Sequence, residues 1–449
     1  MFNRLAIEKL NKWANGTDRK PLVLRGARQV GKTTLVEIFS KNFDQYIYLN
    51  LELDNDKQVF EESSDFQELT DAIFFVKNKT KKAGKTLLFI DEIQNSSKAV
   101  SWLRYFYENA KHLYVIAAGS LLETLIGNHI NFPVGRVEYM PVRPFSFSEF
   151  INALGEKQSL SILNQIPVPA YSHEKLLKLF RLYTIIGGMP GIIKNYVENK
   201  DINALSPIYD SLITSYKDDV EKYAKSRIHA NTLRHTIEHA FREAGSRIKY
   251  QGFGNSNYKS REMKEAFLTL EKALLLKLIF PVTTTKIPTQ PNIKKSPKLQ
   301  LLDTGLVNFV AGLQKEVFGS KILSDVYEGK IAEHIVGQEL RALLNSISHD
   351  IYFWTREKYS DAEVDFVYQY NNMIIPIEVK SGATGRLRSL HEFIDRADHN
   401  YGVRVYADKL KIEKSRTRAG KSFYLLNLPF YLVHKINEYL EWFIEEINK

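Results

Sequence analysis

Apolar positions fall into two rhythms along this chain. Residues 22–25, 46–50, 87–91, 114–118 and 137–141 are short, mostly apolar runs, the pattern of buried strands, and the stretches between them carry apolar residues at helical spacing. Strand and helix in alternation predict a parallel sheet with helices on both faces. Beyond residue 148 the helical rhythm dominates to about Tyr223. It pauses at 155–172, where Pro167, Pro169 and small polar residues read as a linker within a helical extension, and again at Gly187-Gly-Met-Pro-Gly191, which demands a turn. Residues 225–282 read as helix, short segment, helix and strand, and the second helix is apolar on one face and basic on the other. The four prolines of 281–297 predict an extended hairpin or linker, which suits the wing of a winged helix as well as it suits a hinge. From about Lys298 a last segment supplies a helix near 329–340, a β-meander over 350–380 and an amphipathic helix at 431–448.

The junction after the first strand carries chemistry. Gly26 to Thr33 read G-A-R-Q-V-G-K-T, a complete G-x-x-x-x-G-K-[ST] phosphate loop, and Thr34 follows. Glycine permits backbone conformations and close approaches that a Cβ obstructs, so the N–H groups of Gly26, Ala27, Arg28, Gln29, Val30 and Gly31 can surround a phosphate at a helix N-terminus. Lys32 is expected to reach the β- and γ-phosphates of ATP, and Thr33 to hold Mg²⁺. The third apolar run ends in Asp91 and Glu92, and the C-terminal edge of a parallel strand is where such a sheet binds its ligand. Asp91 suits the shell of the Mg²⁺ ion. Glu92 suits orienting or deprotonating a water that attacks the γ-phosphorus.

Composition narrows the classes. At 449 residues and 44% apolar the chain buries substantial cores, and its length suggests about three domains. No run approaches the roughly 18 apolar residues of a membrane span, and Met1-Phe-Asn-Arg-Leu-Ala-Ile-Glu lacks the apolar centre of a secretory signal, so the expected compartment is the cytoplasm and no membrane partner is expected. The absence of cysteine excludes disulfides, thiolate nucleophiles and Cys-ligated zinc. His235 and His239 stand four apart without an obvious third ligand and read as a structural pair. The net charge of +10 is concentrated: residues 225–300 hold fifteen Lys and Arg against five Asp and Glu. Such a segment favours a polyanion, and DNA is the expected partner of 225–300.

The meander brings a second group of charges together. It places Asp365 at the start of one strand and Glu378 and Lys380 on one face of the next, because strand side chains alternate with period two. Glu333, on the helix before it, can supply a further carboxylate. Three carboxylates and a lysine make a set that can bind Mg²⁺, activate water and polarise a scissile phosphate. Charges paired with one another in a purely structural site are the other reading.

These motifs together resemble a family of prokaryotic ATPases in which an AAA-type domain precedes a winged helix and a C-terminal DUF4143 domain related to PD-(D/E)xK nucleases. The resemblance is carried by Arg25 to Thr34, Phe89-Ile-Asp-Glu-Ile-Gln94, Ala118-Gly-Ser120, Val134-Gly-Arg-Val-Glu138, Arg143 to Phe150, Leu302-Asp-Thr-Gly-Leu306, Glu363-Val-Asp-Phe and Pro376 to Ser381. It implies an α/β architecture: a P-loop AAA-type parallel sheet over 1–154, a helical lid over 155–224, a basic winged helix over 225–300 and an α/β nuclease-like domain over 301–449. It further implies that Ser120 stands at the sensor position where many relatives have Asn, that Arg136 is the arginine finger for a neighbouring subunit in a homo-oligomer, and that Pro190 belongs to a Gly-x-Pro turn contacting the adenine. The function expected is Mg²⁺-dependent ATP hydrolysis coupled to nucleic-acid binding. The alternatives are a slow ATP-gated switch that binds protein or DNA without cutting, and a metal-dependent nuclease that uses ATP for assembly.

Overall fold

A computed structural model describes residues 2, 4–81, 84–119, 133, 135–219, 222, 224–312, 329–344, 349–357, 362–382 and 387–449. The chain divides into two compact units, one of them Met1–Arg143 with two short later segments, the other Pro144–Glu271, Leu276–Leu344 and His349–Lys449.

The first unit is a parallel sheet of five strands: β1 (Leu22–Arg25), β2 (Gln45–Asn50), β3 (Thr86–Asp91), β4 (Leu113–Gly119) and β5 (Glu138–Pro141), in the order β2-β3-β4-β1-β5. All four pairings are parallel. The five expected runs therefore match five strands to within one residue at either end. The inner strands were readable because a strand flanked by others and covered by helices needs apolar residues on both faces, and every residue of β3 is indeed buried. Val23, Leu49, Leu88, Ile90, Val115 and Ala117 face Phe60, Leu69, Ile73, Leu103 and Phe106 of the crossover helices in one core.

The second unit opens with helices at Phe147–Ala153, Lys157–Leu163, His173–Ile186, Pro190–Asn199 and Ser206–Asp219. Residues 155–172 are thus not a plain linker. A helix of seven residues precedes the prolines, and a short turn, Ala170–Ser172, follows them. The turn at 187–191 is present, with Gly187 at φ 76° and Pro190 opening the next helix, where its fixed φ and missing N–H cost nothing. Next come the helices Arg227–Ala240 and Ser260–Lys272, and an antiparallel pair formed by β6 (Leu276–Ile279) and β8 (Lys298–Leu301).

A mixed sheet of seven strands completes this unit. Its members are β7 (Pro281–Val282), β9 (Tyr352–Thr355), β10 (Glu363–Tyr370), β11 (Met373–Val379), β12 (Tyr401–Tyr406), β13 (Lys411–Arg416) and β14 (Ser422–Pro429), in the order β13-β14-β12-β11-β10-β9-β7. The expected meander is the antiparallel run β9-β10-β11. The proline segment departs from a free wing or hinge: β7 pairs in parallel with β9, Val282 packs with Trp354, Val364 and Phe393, and Trp354 Nε1 donates to Thr283 O at 3.1 Å. The final helix is Ile436–Asn448, with a 3₁₀ segment at Phe430–Lys435 in place of its expected first turn. Among the described residues no single helix is long and apolar enough to cross a membrane.

Candidate functional site

The phosphate loop lies between β1 and the helix Lys32–Ser40. Two of its residues hold left-handed backbone, Gln29 at φ 63° and Gly31 at φ 88°. Gly26 is fixed by space instead: a Cβ there would stand 2.4 Å from Val142 O, the carbonyl just past β5. Lys32 is 7% exposed and donates to Gly26 O and Ala27 O, each at 3.0 Å, so the loop curls around its own lysine. Burial lowers the pKa of that lysine, and the charges of Glu92 and Asp91 oppose the shift.

Asp91 and Glu92 arrive from β3, with β4 between it and β1. Thr33 Oγ1 donates to Asp91 Oδ2 at 2.7 Å, and Tyr48 OH reaches the same oxygen at 3.4 Å. A hydroxyl and a carboxylate in contact are hard oxygen donors, the kind that suit Mg²⁺. Glu92 has φ 51° and ψ 42°, a left-handed conformation that costs a non-glycine residue roughly 1–2 kcal/mol. That turn redirects the chain just after the strand, and Gln94 Nε2 donates to Glu92 Oε2. Burial raises the Glu92 carboxyl above its usual range, so this side chain holds a proton more readily than a surface glutamate.

The C-terminal charges also converge, around a residue the sequence pattern does not place there. Lys298 Nζ, at the start of β8, lies 2.7 Å from Glu333, 2.7 Å from Glu363 and 3.6 Å from Asp365. Lys380 Nζ donates to Glu378 Oε1 at 2.8 Å, and Val379 N–H donates to Asp365 Oδ2 at 2.8 Å. Arg247 completes the group with a 2.6 Å contact to Glu363. Burial raises both Glu333 and Glu378, and the neighbouring Asp365 adds to each. Two of the carboxylates expected to hold a divalent ion, Glu333 and Asp365, therefore stand about the Lys298 ammonium, and the third, Glu378, pairs with Lys380. With Lys298 among them, the set does not fit a metal.

Three family models match this chain in sequence. Residues 18–151 match an AAA domain, residues 177–317 a domain of unknown function, DUF8612, and residues 328–431 a domain of unknown function, DUF4143. The chain joins an AAA domain to a C-terminal DUF4143 domain. No curated protein matches it. Among solved structures it is similar to the Walker-type ATPase PABY2304 of Pyrococcus abyssi, at 16% identity and a TM-score of 0.44, covering 69% of this chain and 96% of that one. It is also similar to the Aeropyrum pernix Orc1 protein in complex with DNA, at 12% identity and a TM-score of 0.31, covering 70% and 93%.

Other expected site residues fall as follows. Within the AAA domain, Arg136 Nε donates to Glu108 Oε1 at 3.0 Å on the surface. Ser120 lies outside the described residues. Pro190 opens its helix, and the turn before it is clamped: Gly188 N–H donates to Asp303 Oδ2 at 2.5 Å, while Gly188 O accepts from Phe145 N–H at 2.7 Å. Asp303 is fully buried, and burial pushes its pKa up to about 6. Near it, Glu339 of the Gly329–Ala342 helix accepts from Tyr183 OH at 2.7 Å and from Phe147 N–H, and burial raises it to about 7. The Gly329–Ala342 helix also carries Glu333, so one element serves both the buried network and the cation cluster.

Sequence reasoning missed Arg4, Lys298 and Glu363. Arg4 is 7% exposed and donates to Val30 O at 3.2 Å and Arg143 O at 2.7 Å, bracing the phosphate loop from outside the motif. No local pattern marks such a residue. Glu363 could have been found, since it sits two residues before Asp365 on the same strand face.

Proposed function

We propose that this protein is a Mg²⁺-dependent ATPase whose nucleotide cycle acts through its DUF8612 and DUF4143 segments. The observation that carries this reading is the 2.7 Å contact of Thr33 with Asp91, set beside a half-buried Glu92 at the mouth of a complete phosphate loop. When bound, Mg²⁺ would neutralise phosphate charge at Thr33 and Asp91. Lys32 would exchange its two carbonyl acceptors for phosphate oxygens. Glu92 would orient the attacking water or take its proton, and Gln94 would hold Glu92 in position. Asp303 would hold the turn of Pro190. The decisive test is phosphate release by the full chain with ATP and Mg²⁺, compared with Lys32→Ala. Equal turnover in that variant would end the proposal.

A second element of the reading is a nucleic-acid contact through 225–300. The helix pair, the β6–β8 hairpin and the bridge of Arg247 to Lys298 have the composition of a winged helix, and Lys249, Lys259, Arg261 and Lys264 are exposed. The test is binding of duplex and single-stranded DNA at several salt concentrations, with and without ATP.

A further inference from the structure

The DUF4143 carboxylates have a counter-ion that comes from outside that domain's sequence match. Glu333, Glu363, Asp365 and Glu378 fall within residues 328–431, whereas Lys298 falls within the DUF8612 match at 177–317. Its ammonium has three N–H donors, and three carboxylates stand about it at 2.7, 2.7 and 3.6 Å. The side chain is only 6% exposed, so it is no mobile surface lysine lying against an acidic patch. Oxygens around Mg²⁺ or Ca²⁺ stand about 2.0–2.6 Å from the ion. A divalent ion sharing these oxygens would share the space of Nζ, and two cations so close repel strongly.

A second observation concerns Glu378. This residue is 6% exposed, and among the described residues its Oε2 has no hydrogen-bond partner while Oε1 accepts from Lys380. A buried carboxylate oxygen without a donor is costly, and here it adjoins Asp365. The cluster thus has the oxygens of a metal site and one of them idle, with an ammonium at its centre.

We infer that Lys298 is the resident cation of the DUF4143 carboxylate cluster, which is closed to divalent ions in this fold and opened by removing the charge of this one side chain. The lysine fastens β8 to the helix of Glu333 and to β10, as a bound metal would fasten its ligands. This holds whether or not the AAA domain hydrolyses ATP.

The test is Mn²⁺ binding to the nucleotide-free full chain, followed by electron paramagnetic resonance, for the wild type, Asp365→Asn, Lys298→Met and Lys298→Met with Asp365→Asn. Methionine keeps much of the length of lysine and removes its charge. The expected result is one Mn²⁺ more per chain in Lys298→Met than in the wild type, that additional ion lost in the double variant, with the rise in melting temperature on adding Mn²⁺ larger in Lys298→Met than in any of the others. Wild-type binding that Asp365→Asn removes would overturn the inference, because the lysine would then not exclude the ion. A folded Lys298→Met that binds no additional Mn²⁺ overturns it equally. If Lys298→Met does not fold, Lys298→Gln takes its place under the same criteria; should neither fold, even when refolded with Mn²⁺, the inference fails, since the ion cannot then replace the lysine.

Discussion

At the scale of single residues, the AAA site divides into groups that act on the nucleotide and groups that hold the loop. Lys32→Ala removes the cation that meets the phosphates, so ATP binding should be abolished. Glu92→Gln keeps shape and the Gln94 contact but removes the base, so ATP should still bind while turnover falls about 10²–10⁴-fold. Calorimetric ATP affinity and phosphate release separate the two, and wild-type turnover in Glu92→Gln would place the base elsewhere. The buried network offers a test by pH. The Glu339 carboxyl titrates near 7 when folded and near 4.5 otherwise, so the folded state holds the extra proton between those values and loses stability as pH rises through them. Glu339→Gln keeps an acceptor for Tyr183 and lacks that titration. Its unfolding free energy, measured by denaturant titration, should gain on that of the wild type from pH 5 to pH 8 by an amount on the order of 3 kcal/mol. A constant gap between the two would mean that Glu339 is ionised throughout.

At the scale of elements, strands sandwiched between helices were legible and contacts between distant segments were not. The runs behind the inner strands β1, β3 and β4 announce themselves because burial on both faces admits almost only apolar residues, whereas the edge strands β2 and β5 keep one side or one end exposed. The meander was legible as short apolar runs, and the alternation of side chains along a strand puts Glu378 and Lys380 on one face, where Lys380 Nζ donates to Glu378 Oε1. Lys298 was not legible, because a lysine in a basic, proline-bounded stretch has the composition of a solvated surface. Only the pairing of β6 with β8, and of β7 with β9, carries it to the carboxylates. The same distinction sorts the basic side chains. Replacing Lys249, Lys259, Arg261 and Lys264 by alanine should flatten the slope of log K for DNA against log[salt] by roughly one unit for each phosphate no longer neutralised. Arg247→Ala should lower the melting temperature instead, since its guanidinium serves Glu363 and lies 4.8 Å from the Phe353 ring. An unchanged slope in the fourfold variant would move any DNA surface off this segment.

At the scale of the whole molecule, Arg136 bears on assembly. It pairs with Glu108 within its own chain, yet both side chains are part-exposed, and exposed pairs are worth only about 0–1 kcal/mol. A neighbouring γ-phosphate could therefore draw the arginine away. If it serves as a finger between subunits, ATP turnover per chain should rise with protein concentration, and Arg136→Ala mixed with Lys32→Ala should recover activity that neither has alone. Turnover per chain independent of concentration, and unchanged in Arg136→Ala, would assign the residue to the surface pair alone.

The ion pairs of the basic segment change what a passing polyanion would meet. Arg247, Lys277, Lys286 and Lys298 each contact a carboxylate from the region after residue 300, namely Glu363, Asp350, Asp398 and the Glu333–Asp365 group. Each pairing cancels a positive charge of the segment locally, so the segment presents fewer unbalanced cations than its excess of basic residues in the sequence implies. Long-range attraction of an anion would then be broad and weakly directional, guiding encounter more than it selects an orientation.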